Sequence, residues 1–179
     1  TCALPICPRD YWNKQAVANR FDNPDVVFVK RMLQRALPES VRRCIVDQLF
    51  RECVTTDVAA FADELYMSEE QIACMRDAGM YFGSHGYSHE WLDGLERGGQ
   101  EREVALSIEF LRRMGTDVNA WIMSYPHGAW NESLVAILSN AGCRVGLTTH
   151  VGVAQLDRDN PLTLPRLNTH DLPKQADGA

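Results

Sequence analysis

Met80-Tyr81-Phe82-Gly83-Ser84-His85-Gly86-Tyr87-Ser88-His89-Glu90-Trp91-Leu92 carries a short apolar run into two histidines four residues apart. Met80 to Ser84 has the length of a buried strand. Such a strand would deliver His85 to its C-terminal end, where α/β folds keep their sites. On a helix, positions i and i+4 lie on one face, so both imidazoles could address one spot. Two neutral imidazoles there suit a divalent transition metal. On spacing alone, one capping and one core histidine is the commoner reading, because a motif needs its context. Gly83 and Gly86 allow close approach or a sharp turn. Ser84 and Ser88 can cap a helix or orient an imidazole.

The segments on either side keep a regular beat. Upstream, Ser68-Glu69-Glu70-Gln71 opens a helix with a Ser cap, acids in the first turn and a Gln three residues on. Ile72, Met75 and Ala78 form its inner stripe, and Gly79 is a suitable C′ residue. Downstream, Leu92 to Gly99 reads as a polar loop. Gln100 to Met114 is a periodic helix with Val104, Ile108, Leu111 and Met114 inward, closed by Gly115. Trp121 to Tyr125 reads as a buried strand ended by Pro126. Asn131 caps a helix to Asn140, and Gly142 follows it. Arg144 to Thr149 and the short Leu162-Thr163-Leu164 read as further strands. Strand, loop and helix in repetition predict part of a parallel α/β barrel.

Four blocks stand in a fixed order: Gly83-Ser84-His85-Gly86-Tyr87-Ser88-His89, Ser124-Tyr125-Pro126-His127-Gly128, Gly146-Leu147-Thr148-Thr149 and Leu164-Pro165-Arg166. Together they resemble the polysaccharide deacetylases with a NodB-homology domain, over roughly Leu65 to Pro173. The set is far more specific than any one block. The resemblance implies an α/β fold, a partial, irregular (β/α) barrel of the NodB-homology type with an N-terminal helical segment. The expected division is a helical segment over 1–65, the C-terminal part of the barrel over 66–173 and a tail over 174–179.

The resemblance also implies metal-dependent hydrolysis of N-acetyl (or O-acetyl) groups on a saccharide. His85 and His89 would be metal ligands, for zinc above other divalent metals. The metal would polarise the carbonyl and activate a water, because amides are poor electrophiles. The backbone N–H of His127 would meet the oxyanion, and Tyr125 and Pro126 would border the substrate. His170 could be the acid that many relatives carry after a strand, although a surface histidine is the other reading. His150 receives no role. Trp91, Trp121 and Trp130 flank the blocks; core packing is their default, and one could stack on a sugar face.

Two departures from the family pattern matter. Relatives supply a third ligand and a base from neighbouring aspartates in a Thr-Phe-Asp-Asp-like segment, and no such segment occurs. Phe21-Asp22-Asn23 is a superficial match, because Gln15 to Arg20 is no buried strand and Asn23 lacks a carboxylate's charge. Asp22 reads as a turn before a helix. Ser124 stands where relatives often have the arginine that orients the base, a role that Arg166 could take over. The expectation is therefore a chain without turnover of its own. A non-catalytic carbohydrate-binding or scaffolding module of the same fold is the rival, and retention of both histidines speaks against it.

Composition agrees with a folded domain. Of 179 residues, 45% are hydrophobic and 23% charged, enough to bury a core. Net charge is 18 − 24 = −6, which argues against a nucleic-acid partner. No apolar run approaches a membrane span of about 18 residues. The six cysteines, at 2, 7, 44, 53, 74 and 143, include no Cys-x-x-Cys pair, so a thiolate zinc site is not expected. Cys44, Cys53, Cys74 and Cys143 read as small core residues. A domain of this size needs no disulfide, which leans toward a reducing, cytoplasmic setting.

The N-terminal third is helical in pattern. Asp25 to Leu37 has apolar residues near helical spacing and stops at Pro38. Glu39-Ser40 opens a second helix through Cys53, and Thr56-Asp57 caps a third over Val58 to Leu65. Arg31, Arg35, Arg42 and Arg43 read as a solvated face. This segment would be an insertion or lid. Thr1 to Ile6 fits no pattern and reads as translated adapter sequence ahead of an incomplete gene, so a missing signal peptide there would mean nothing.

Overall fold

The computed structural model describes residues 7–19 and 21–172. The reading of Thr1 to Ile6 and the tail over 174–179 lie outside the described residues. The chain forms two compact units, Thr1–Tyr66 and Met67–Ala179.

In the first unit, α1 (Pro8–Gln15), α2 (Pro24–Arg31), α3 (Glu39–Cys53) and α4 (Val58–Leu65) follow one another. Asn23 caps α2 by accepting from the Val26 N–H, with Pro24 at the first helical position, where its missing N–H costs nothing. Asp22 lies just before this helix and pairs with Lys30 at 2.7 Å. A single π-helical stretch, Met32–Ala36, ends the apolar pattern before Pro38. Asp57 caps α4 through the Ala60 N–H. Rings pack at Trp12–Phe28 and Phe50–Phe61, with centroids 4.9 and 5.1 Å apart.

The second unit holds the motif blocks. Helix α5 (Glu69–Asp77) begins with a complete capping box, Ser68 with Gln71, and ends at Gly79 with φ 88°. Ile72 is buried, but Ala78 is exposed, so the inner stripe is shorter than expected. Helix α6 (Arg97–Arg113) starts three residues before the expected Gln100. Gly115, φ 81°, closes it in the left-handed conformation that glycine adopts without strain.

Strand β1 (Trp121–Ser124), helix α7 (Glu132–Asn140) and strand β2 (Cys143–Val151) make a β-α-β unit, and β3 (Leu164–Arg166) completes a parallel sheet in the order β1-β2-β3. Parallel neighbours need such a crossover, and α7 provides it. Asn131 caps α7 through the Leu134 N–H. Trp121, Met123, Tyr125, Leu134, Leu138 and Leu111 are the centre of the core.

Two strand-level expectations and one about the cysteines are corrected. Met80 to Ser84 is not a buried strand: Met80 and Tyr81 are exposed, and only Ser84 forms a parallel bridge, with Met123. The segment pairs with the sheet at its last residue, while Gly83 packs closely on Ile122 of β1. The final strand is Leu164–Arg166 rather than 162–164, because Pro161–Thr163 forms a 3-10 turn fixed by the Asn160 side chain on the Leu162 N–H. Of the four cysteines expected in the core, only Cys143 is buried; Cys44, Cys53 and Cys74 are exposed. Around Cys44 and Cys53, α3 buries no residue, and apolar Val46, Leu49 and Val54 are exposed as well.

Candidate active site

His85 and His89 do not sit on a helix. The segment after Ser84 is a bend. It reverses through Gly86 at φ 73° and His89 at φ 57°. The left-handed region is uncommon for a residue with a Cβ, though histidine is among those that enter it. The bend still brings the two imidazoles together, with centroids 4.9 Å apart and planes at 64°.

One of these rings is oriented by the sheet. Nδ1 of His85 lies 2.7 Å from the carbonyl oxygen of Ser124, the last residue of β1. A carbonyl only accepts, so Nδ1 carries the proton and Nε2 keeps its lone pair. That is the tautomer a metal ligand requires, held by an outer hydrogen bond. His85 and His89 are both exposed and open to solvent.

His127 joins the pair from the other side. It follows Pro126 in a tight turn, with φ 56°. Its ring lies 4.7 Å from His89 edge-on and stacks flat on Trp91, 4.4 Å away with planes at 7°. Gly128, φ 72°, packs against Thr149. This close approach is how the Tyr125–Gly128 block and the Gly146–Thr149 block meet. The fourth block arrives at the same place: the Arg166 guanidinium is 3.4 Å from the Ser124 hydroxyl.

Other expected residues are placed differently. Tyr125 is fully buried, and its hydroxyl donates to the Leu162 carbonyl at 2.6 Å. Burial pushes its pKa well above the phenol range. Pro126 is buried as well. Both side chains are therefore turned into the interior, and what the turn exposes is its backbone and His127. His170 stands exposed in the turn Thr169–Asp171 with Nδ1 3.1 Å from Asn168 Oδ1. His150 is exposed at the end of β2. Trp121 is fully buried in the core, whereas Trp91 is half-buried against His127.

Glu103 was not singled out by the sequence. It is buried on α6, and its carboxylate accepts from the N–H of Tyr87 at 2.9 Å, from the N–H of Ser88 at 3.0 Å and from the Ser88 hydroxyl. The signal was available: Gln100, Glu103 and Ser107 form a polar line beside the apolar stripe of α6, and all three are buried. A buried carboxylate needs partners that compensate its lost hydration.

The donors test the expected metal. His85 and His89 have the right chemistry, and His85 has the right tautomer. Among the described residues, no group of three His, Cys, Asp or Glu side chains converges on one point. The fit is that of two imidazole ligands.

Comparison with known proteins agrees with the motif blocks. The polysaccharide deacetylase family model matches residues 41–146, more than half of the 179 residues and reaching back into α3. YxkH of Bacillus subtilis (strain 168), a candidate polysaccharide deacetylase by its name, is 32% identical over 93 residues, 52% of this chain and 33% of that protein. The Streptococcus pyogenes deacetylase PplD, solved in complex with acetate, superposes with a TM-score of 0.54 at 24% identity, over 63% of this chain and 49% of that one. At that identity the likeness is one of fold. The chain thus spans about a third of the first relative and about half of the second. With the blocks gathered at one end of a parallel sheet and the family's match covering most of that region, the chain belongs to the polysaccharide deacetylase family.

Proposed function

We propose that this chain carries the metal-binding half of a carbohydrate N-deacetylase site, with His85 and His89 as the protein ligands. The observation that carries this is the paired imidazoles, 4.9 Å apart, one of them locked by Ser124 as the Nδ1–H tautomer. A divalent metal, zinc by the preference of imidazole donors, would supply Lewis-acid polarisation of the acetyl carbonyl. The three-stranded parallel sheet then corresponds to part of a NodB-type barrel, with the site at the C-terminal ends of its strands.

The remaining roles fall to residues around the pair. His127, 4.7 Å from His89, offers its backbone N–H to the developing oxyanion. Trp91 holds the His127 ring from behind by stacking. Arg166, beside Ser124, takes the position from which an arginine would orient a carboxylate. His170 keeps the role of candidate acid. The substrate is an N-acetylated saccharide, with an O-acetylated one as the variant of the same chemistry.

Hydrolysis also needs a carboxylate to take a proton from water. Because no Thr-Phe-Asp-Asp-like segment occurs in the sequence to supply that carboxylate, the chain alone is proposed to bind metal and acetylated sugar without turnover. A titration with N-acetylglucosamine oligomers, followed by NMR with and without zinc, tests this. Zinc-dependent shifts at His85, His89 and His127, with no acetate released, are expected. Saccharide binding that ignores both zinc and the histidines would instead make the chain a binding module. Acetate release by this chain would overturn its proposed inactivity.

A further inference from the structure

The two histidines are separated by three residues, and one carboxylate holds two of those three. Glu103 reaches from α6 to the N–H groups of Tyr87 and Ser88 and to the Ser88 hydroxyl. We propose that Glu103 is a positioning residue, which fixes the distance and orientation of His85 and His89 and so sets the affinity of the pair for its metal. This rests on the metal reading above and adds the residue that controls it.

The bend is costly to hold. Gly86 and His89 both have positive φ, and His89 has a Cβ. Such a conformation persists only where the surroundings over-determine it. At its base, Gly86 N–H donates to Ser84 Oγ at 3.2 Å. At its far side, a Cβ on Gly86 would meet Pro126 Cγ at 3.1 Å, so the bend packs closely on the turn that carries His127. Between these points, Glu103 is the group that receives the Tyr87 and Ser88 N–H groups and ties them to α6.

Glu103 is suited to that task and to little else. It is 8% exposed and lies on a helix whose neighbouring residues Val104 and Leu111 are core. A carboxylate accepts on both oxygens, so it can take three donors at once. A methionine of similar size keeps the packing of the side chain but accepts none of the three donors, whereas a glutamine can still accept both N–H groups on its oxygen and donate its NH2 to the Ser88 hydroxyl. The acceptor oxygens are therefore needed for geometry, and α6 transmits the rigidity of the core to the metal pair. Outer hydrogen-bond partners of this kind change metal affinity by about 10- to 100-fold when removed.

The test uses the whole chain as wild type, Glu103→Met, Glu103→Ala and Ser107→Ala. Ser107 is buried one turn further along α6 and serves as the control for disturbing that helix. Zinc affinity is measured by competition with a chelating dye and normalised to folded protein. Amide exchange of Tyr87 and Ser88 is read by NMR. The proposal expects slow exchange in the wild type, fast exchange in both Glu103 variants, and zinc binding weakened at least about tenfold. Ser107→Ala should follow the wild type in both readouts. A folded Glu103→Met protein with slow amides and wild-type zinc affinity would overturn the proposal, whatever becomes of Glu103→Ala. Should the wild type take up no zinc, the metal reading fails by itself. The exchange of the two amides then still decides whether Glu103 positions the bend: faster in the variants supports it, unchanged overturns it.

Discussion

Nδ1 of His85 lies 2.7 Å from the backbone carbonyl of Ser124, 39 residues further along the chain. Since the contact is to backbone, the identity of residue 124 is free of it. Ser124→Ala should leave zinc affinity within about twofold while removing the hydroxyl that Arg166 approaches at 3.4 Å. Long-range nitrogen–proton NMR on the metal-free chain should show His85 protonated at Nδ1. A tenfold loss of affinity in Ser124→Ala would mean that the hydroxyl, not the carbonyl, orients the site.

Tyr125 supports the site from below. Its hydroxyl donates to the Leu162 carbonyl in the buried interior. Tyr125→Phe leaves that carbonyl unpaired and should lower stability by about 1–3 kcal/mol in chemical denaturation. Zinc affinity of the folded protein should not change, because the ring remains in the core. A large loss of affinity without loss of stability would return Tyr125 to the site.

Gly128 joins two motif blocks at a point where no side chain fits. Its φ is 72°, and a Cβ there would lie 2.8 Å from Thr149 Cγ2 and closer still to the hydroxyl. Left-handed backbone costs a residue with a Cβ about 1–2 kcal/mol, and overpacking about as much again. Gly128→Ala should therefore destabilise by about 2 kcal/mol or more. Shortening the partner by Thr149→Ala removes the contacts with Oγ1 and Cγ2 but leaves its Cβ 2.9 Å away, so it should restore only part of the overpacking loss. A double variant as stable as wild type would show that the backbone conformation carries no cost.

Cys143 is the buried cysteine among the described ones, and burial raises its thiol pKa from 9.0 to about 11. It should react with a thiol reagent at pH 8 far more slowly than exposed Cys44, Cys53 and Cys74. The same shift predicts alkaline loss of stability. The folded state holds the proton more tightly than the unfolded one, so the contribution is complete below about pH 9 and fades as pH rises toward 11. Buried Tyr125, shifted upward by burial, acts in the same direction from its ordinary value of 10.0. Stability that stays flat from pH 8 to 11 would contradict both.

The parts of this fold with local causes were legible before the structure. Ser68 with Gln71, Asn131 and Asp57 cap the helices that their chemistry announces, and Gly79, Gly115 and Gly142 close helices at positive φ. Trp121–Ser124 is a strand with alternating burial, as its apolar run implies. The failures are tertiary. Met80 to Ser84 reads as a strand from its apolar residues, yet its pairing depends on neighbours that a local pattern does not encode. Helical spacing brought His85 and His89 to one spot for the wrong reason. The bend at Gly86 and His89 does it, held by Glu103 from a helix beginning eight residues downstream of His89. The Trp91–His127 stack likewise joins two blocks far apart in sequence.

The most direct test of the metal site is zinc content and affinity of the purified chain beside His85→Ala and His89→Ala. The account predicts saturable binding of about one zinc per chain, lost in each variant while the fold persists. Equal zinc binding by all three proteins would contradict it.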